Sequence, residues 1–320
     1  MSVNNPNSEA EKNNNSYKKL VKRDGVRRVV AISDIHGWYE PFIELLEISG
    51  IIKQVVEAED VLENEDVFIG GGGEAYYQYV GDETTVVLVG DIVDGDANSK
   101  KIIDLLLKLE SRADMAGGEV ITLMGNHEKG LLQTSWKGLD FEVHSPHCEL
   151  DQNFNPRQWI KERPIVAIVN DVLFVHGGIT GKVLKRVKNA QTKDEDFTTA
   201  FGRLLEHGSI MDVLTSGCNW SYEGDTLRDV LERTDTNYIV IGHISTYGKT
   251  SCEIRLIGAS IGGQPRVFAI DTEISDYKQE GRGSSGGALS LRWEEEGIVA
   301  EYLYRNRSSR KIDLIKHMRN

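Results

Sequence analysis

Val29-Val30-Ala31-Ile32-Ser33-Asp34-Ile35-His36-Gly37 opens on four apolar residues and ends on a carboxylate and an imidazole two positions apart. A short continuous apolar run reads as a strand buried on both faces. Asp34 and His36 therefore sit where such a strand stops, and both side chains can bind a metal. The same arrangement returns along the chain. Thr84 to Val89 is apolar or β-branched and ends in Gly90-Asp91-Ile92-Val93-Asp94. Val120 to Met124 ends in Gly125-Asn126-His127-Glu128. Val172 to Val175 runs into His176-Gly177-Gly178, and Tyr238 to Ile241 into Gly242-His243.

Helical patterns fall between these strands. Phe42, Leu45, Leu46 and Ser49 share one face of Tyr39 to Ser49, with Pro41 in its first turn. Ile102, Ile103, Leu106 and Leu109 do so over Ser99 to Glu110. Alternation of strand and helix predicts an α/β fold with crossover helices. Ligand groups in such sheets gather beyond the carboxyl ends of the strands. Ile165–Val169 and Val172–Val175 predict a hairpin turned at Asn170-Asp171, and residues 181–208 are predicted mainly helical. Short strand patterns between glycine-rich turns fill the C-terminal third. They predict a second, more antiparallel sheet. Residues 54–83 and 135–159 read as surface insertions, either of which could wall a substrate cleft.

The composition is that of a globular chain, with 39% hydrophobic and 27% charged residues. A net charge of −13 argues against a general nucleic-acid binder, which needs a basic face. Cys148, Cys218 and Cys252 are scattered, so neither a disulfide framework nor a CxxC zinc site is indicated. Scattered thiols suit a reducing, cytoplasmic compartment, and neither a signal peptide nor a membrane-spanning segment is seen. The Asn-rich residues 1–26 are expected as a disordered tail, 27–304 as the folded unit and 305–320 as a basic tail.

Taken alone, an Asp after a strand is usually a helix cap, and a His there is usually a hydrogen-bonded core residue. That account must be repeated at five strand ends. Imidazoles, carboxylates and one amide oxygen without cysteine form instead a mixed nitrogen and oxygen donor set, suited to Mn, Fe, Zn or Co. The donors outnumber one ion's needs, and two ions sharing a carboxylate are expected. Such a pair hydrolyses phosphate esters. His144 and His147 have no strand before them and read as loop histidines, as do His207 and His317.

The order Asp34-Ile35-His36-Gly37, Gly90-Asp91-Ile92-Val93-Asp94, Gly125-Asn126-His127-Glu128, His176-Gly177-Gly178, Gly242-His243 resembles the calcineurin-like metallophosphoesterases. Within them it is most similar to the phosphoprotein phosphatase branch and its bacterial-type, Shewanella-like members. Val267 to Thr272, followed by Gly287-Ala288-Leu289, looks like the final strands of that group. The resemblance implies a four-layer α-β-β-α sandwich of two mixed sheets, with a dinuclear centre at the strand ends. It implies two divalent or trivalent ions, manganese or iron ahead of zinc. Asp34, His36 and Asp91 would hold the first. Asp91 would bridge to the second, completed by Asn126, His176 and His243. His127 would protonate the leaving group, oriented by Asp94, while a metal-bridging hydroxide attacks phosphorus in line. Glu128 would brace the loop through hydrogen bonds or stand as a helix-start carboxylate.

The resemblance therefore implies a phosphoric monoester hydrolase acting on a phosphoprotein (at serine, threonine or tyrosine) or a small phosphate ester. A dinucleoside-polyphosphate hydrolase and a catalytically weakened metal-binding scaffold are the alternatives. The pattern departs in one respect. Gly95 and the segment Ser216 to Tyr222 stand where the branch carries two phosphate-binding arginines. Lys129, Arg163, Tyr222 and Arg228 are the candidate substitutes.

Overall fold

The computed structural model describes residues 18–55, 67–69, 75–94, 97–133, 154–215, 224–246, 254–257, 261, 265–272, 274, 286–305 and 307–315. Two six-stranded mixed sheets form its centre. The first has the order β15-β14-β13-β2-β6-β7. Its strands are β15 (Arg307–Ile315), β14 (Gly297–Tyr304), β13 (Gly287–Glu294), β2 (Arg28–Ile32), β6 (Thr85–Leu88) and β7 (Glu119–Thr122). The second has the order β1-β8-β9-β10-β12-β11. It is built from β1 (Leu20–Arg23), β8 (Val166–Val169), β9 (Val172–Val175), β10 (Tyr238–Ile241), β12 (Val267–Ala269) and β11 (Arg255–Ile257). The helices are α1 (Tyr39–Ile48), α2 (Ala97–Met115), α3 (Asn126–Gln133), α4 (Pro156–Glu162), α5 (Gly181–Ala190), α6 (Phe197–Glu206) and α7 (Gly224–Thr234).

Alternation along the strands makes the layers. In β2, Val29 and Ala31 join one buried cluster while Val30 and Ile32 join another. In β10, Tyr238 and Val240 belong with the former, Ile239 and Ile241 with the latter. The first cluster collects one face of each sheet, so it is the inter-sheet core. The second adds helical residues such as Phe42, Leu106, Val187 and Leu227, so it is the helix-covered outside. Both faces of the central strands are buried, which is why they read as unbroken apolar runs. Each fully buried Val, Leu, Ile or Phe contributes about 1.5–3 kcal/mol.

The strands expected around Asp34, Asp91 and Asn126 form a parallel β2-β6-β7 unit. The hairpin falls at Asn170-Asp171, where Asn170 takes φ 51°. Three expectations are corrected. The C-terminal strands do not build a sheet of their own: β11 and β12 extend one sheet, while β13 pairs antiparallel with β2 in the other. Leu20–Arg23, placed in the N-terminal tail, pairs in parallel with β8. Arg307–Ile315, placed in the C-terminal tail, pairs with β14. Polar strands at sheet edges carry little apolar signal, so periodicity does not reveal them. The insertion at 54–83 holds part of a small antiparallel sheet of β3 (Ile52–Val55), β5 (Tyr76–Tyr79) and β4 (Val67–Ile69). Among the described residues no helix is long and apolar enough to cross a membrane.

Candidate functional site

The parallel ladder between β2 and β6 does not stop with the strands. Asp34 N donates to Gly90 O at 3.1 Å, His36 N to Asp91 O at 2.9 Å and Gly37 N to Ile92 O at 3.1 Å. The two loops are thus zipped together backbone to backbone. In the other sheet, Gly242 N donates to His176 O at 3.0 Å and joins the loops after β9 and β10. The pairs then meet across the sheets. His243 N donates to Asp34 Oδ2 at 3.0 Å, and His176 Nδ1 lies 2.7 Å from Val89 O.

Glycine permits this approach. A Cβ on Gly242 would overlap Ser33 Oγ and Asp34 Oδ2, and one on Gly125 would overlap Asp91 Oδ1. Asp34, His36, Asp91 and His243 all take positive φ, between 48° and 60°. That conformation costs an ordinary residue about 1–2 kcal/mol. Strain concentrated in this way is a common mark of functional sites.

Asp34, His36 and Asp91 form one group whose donor atoms lie within 4.8 Å of one another, and Asp91, His176 and His243 form a second. Asp91 belongs to both. Asn126 Oδ1 joins the second at 3.0 Å from His176 Nε2, which is also 3.2 Å from Asp91 Oδ2. The His176 Nδ1–H is spent on the Val89 carbonyl, so the Nε2 lone pair faces two oxygens, an arrangement that calls for a cation or a proton. Burial alone would lower this imidazole, but Asp34 first and Asp91 next hold it up at about 9. Asp34 is driven well above the carboxylate range by burial first and then by Asp271. Against its own burial, Asp91 is drawn down to about 2 by His176 and His127. Among the described residues His36 Nδ1 is buried without a hydrogen-bond partner, and Nε2 stands 3.8 Å from Asp34 Oδ1. That gap is too long for a hydrogen bond and suits two donors on one ion with bonds of about 2.0–2.2 Å. The donor set fits a metal pair.

A third group, His36, Asp94 and His127, adjoins them. Here the contact is a hydrogen bond, with His127 Nδ1 at 2.5 Å from Asp94 Oδ1. Asp94 raises the His127 imidazole to about 9. The other ring nitrogen, Nε2, lies 3.8 Å from Asp91 Oδ2, beside the shared carboxylate.

Glu128 lies entirely inside the protein, where its two oxygens accept four backbone N–H groups. Asp91 N and Gly125 N reach Oε2 at 2.9 and 2.8 Å, and Ile92 N and Val93 N reach Oε1 at 2.8 and 3.0 Å. Burial and the Asp91 charge push this carboxyl upward, while the N–H donors favour its ionised form. The loops carrying Asp91 and Asn126 are fixed to each other through this one side chain.

The substrate candidates fare differently. The Arg163 guanidinium is taken up by Glu110 at 2.7 Å and by the Trp159 ring, 4.6 Å from its centroid. Arg228 is exposed on α7, 3.7 Å from Asp225. Lys129 lies on α3 two residues past His127 and acts on Asp212. Tyr222 and Gly95 lie outside the described residues, with His144, His147 and His317. His207 caps the end of α6. Two residues of the site carried no sequence assignment. Ser33 Oγ donates to Asp34 Oδ2 at 2.5 Å. Asp271, buried beyond β12, acts electrostatically on Asp34. It ends an apolar strand as Asp34 does, which is the signal that could have found it.

The family model for calcineurin-like phosphoesterase matches residues 27–247. Shewanella-like protein phosphatase 2 of Arabidopsis thaliana is 28% identical over 204 residues, covering 48% of this chain and 46% of that protein. Shewanella-like protein phosphatase 1 of Plasmodium berghei is 26% identical over 80% of this chain and 69% of its own length. This chain thus spans less than half of the plant relative. Among solved structures, a cold-active protein-tyrosine phosphatase of a psychrophilic Shewanella superposes with a TM-score of 0.59 at 21% identity. The match covers 92% of this chain and 83% of the other and shows a shared fold.

Proposed function

This chain belongs to the calcineurin-like phosphoesterases, and from that membership we propose that it is a metal-dependent phosphomonoesterase acting on phosphorylated protein. One observation carries the reading. Asp91 is shared by two donor groups, and the His127–Asp94 pair is aimed at the same carboxylate. The phosphatase names of the plant and Plasmodium relatives support a phosphoprotein substrate.

Asp34, His36 and Asp91 would hold one ion; Asp91, Asn126, His176 and His243 would hold the other. When bound, such a pair neutralises phosphate charge and lowers the pKa of water, supplying a nucleophile near neutral pH. His127 acts as the general acid. Asp94 accepts its Nδ1–H and keeps the ring protonated, so that Nε2–H can be passed to the leaving oxygen. Glu128 and Ser33 hold Asp91 and Asp34 in place.

The test compares hydrolysis of p-nitrophenyl phosphate, phosphopeptides and diadenosine tetraphosphate by the Mn²⁺-loaded protein. Turnover of the monoesters is expected. Preference for the dinucleotide would move the reaction to the anhydride bond, and no turnover of any of them with two ions bound would overturn catalysis.

A further inference from the structure

α5 starts at its cap Thr180, four residues after His176, and its ten residues hold Lys182, Lys185, Arg186 and Lys188 with no carboxylate. Val183, Leu184 and Val187 face the core, which turns the cations outward. Lys188 is paired with Asp229 of α7 at 2.5 Å, which leaves Lys182, Lys185 and Arg186 as the basic face of α5 in a protein of net charge −13.

The face is tied to the rim of the site. Gly177 N donates to Val213 O at 2.8 Å, so the 3-10 turn Met211–Leu214 sits on the loop that carries His176. Asp212 of that turn receives Lys182 Nζ at 2.9 Å and lies 3.9 Å from Arg186 Nη1. Its carboxyl is held below the usual range by Lys182 first, with Arg186 and Lys129 behind it. Lys182 and Arg186 of α5 thus flank one carboxylate beside the His176 loop, and Lys129 of α3 acts on it at longer range. Lys182 and Arg186 remain 71% and 50% exposed, so these charges still face solvent.

We propose that Lys129, Lys182, Lys185 and Arg186 form a docking surface for an acidic segment next to the phosphorylated residue of a protein substrate. The proposal rests on the phosphatase reading and narrows it to acidic phosphopeptides. A strongly negative enzyme repels such a substrate, and a basic rim reverses the field where the chain must enter. Asp212 holds the cations in register without cancelling them.

Two phosphopeptides differing only in flank, Asp and Glu against Asn and Gln, are compared on the Mn²⁺-loaded protein. The acidic peptide is expected to have about a tenfold higher kcat/KM at low salt. The advantage vanishes near 1 M salt, where screening acts over about 3 Å. In the double variant Lys182→Gln, Arg186→Gln the ratio falls toward one. Equal values for the two peptides in the natural protein, or an unchanged ratio in the variant, overturn the docking surface. Fluorescence anisotropy of a labelled, unphosphorylated acidic peptide reads docking without turnover. Tighter binding by the natural protein than by the variant would uphold docking even if no phosphate ester were hydrolysed; equal binding there would overturn it.

Discussion

The Asp94 carboxylate decides the protonation of His127. It lies at 2.5 Å from Nδ1 and is the leading cause of the raised pKa, about 9 against an ordinary 6.5. A general acid with a raised pKa works below that value and is lost as pH rises through it. We expect Asp94→Asn to shift the alkaline limb of kcat to lower pH, because the amide cannot stabilise imidazolium. A pH–rate profile on p-nitrophenyl phosphate reads the shift, and an unmoved limb would remove His127 from that role. His127→Asn should lower kcat about 10²-fold or more while metal content, measured by mass spectrometry, persists. Glu128 is a different kind of residue. Its carboxylate takes four N–H donors, and Glu128→Gln turns an NH₂ group on some of them. The cost is about 2–3 kcal/mol. At about 1.5–2 °C per kcal/mol for a chain of 320 residues, melting should fall by about 3–6 °C.

At the scale of elements, the crossing of loops from two sheets makes the centre. Gly242 lets the loop after β10 lie against Ser33 and Asp34 of the loop after β2. Gly242→Ala drives a methyl group into that contact. We expect it to lower metal affinity and melting temperature together, read by metal titration and calorimetry; unchanged affinity would mean that the loops part freely. The central strands were legible because burial on both faces left them continuously apolar, and each polar end was legible because a carboxylate, amide or imidazole recurs directly after an apolar run. The edge strands were not. Leu20–Arg23 has the exposed, basic residues Lys22 and Arg23, and its place is set by β8 and by the Arg23 bridge to Glu119 at 2.6 Å. Such partners are distant in sequence, and so are those of Glu128 and Asp271. Starting the chain at Arg27 should remove β1, bare the edge of β8, and cost about 2–3 kcal/mol, seen as a lower denaturation midpoint.

For the whole molecule, the balance of charge at the joint between the sheets bears on stability. Asp34, Asp91, Glu128 and Asp271 are all buried around it. Burial and mutual repulsion raise Asp34 and Glu128, which means that folding these carboxylates together works against their ionisation. Two cations would reverse that penalty and would bind the folded chain in preference to the unfolded one. Mn²⁺ at a hundred times its Kd should therefore add about 2.7 kcal/mol, raising the melting temperature by about 4–5 °C. A chelator should reverse the rise. In Asp91→Asn the carboxylate common to both donor groups is gone, and the metal-dependent rise should shrink because both groups lose a donor at once. The metal-free variant also loses a carboxylate that His176 and His127 hold at about 2, below the usual range, and a depressed carboxylate stabilises the fold near neutral pH, so it should melt lower than the metal-free natural protein. Calorimetry with and without chelator separates the two effects. A full metal-dependent rise in the variant would mean that the sheets are not joined through a shared carboxylate.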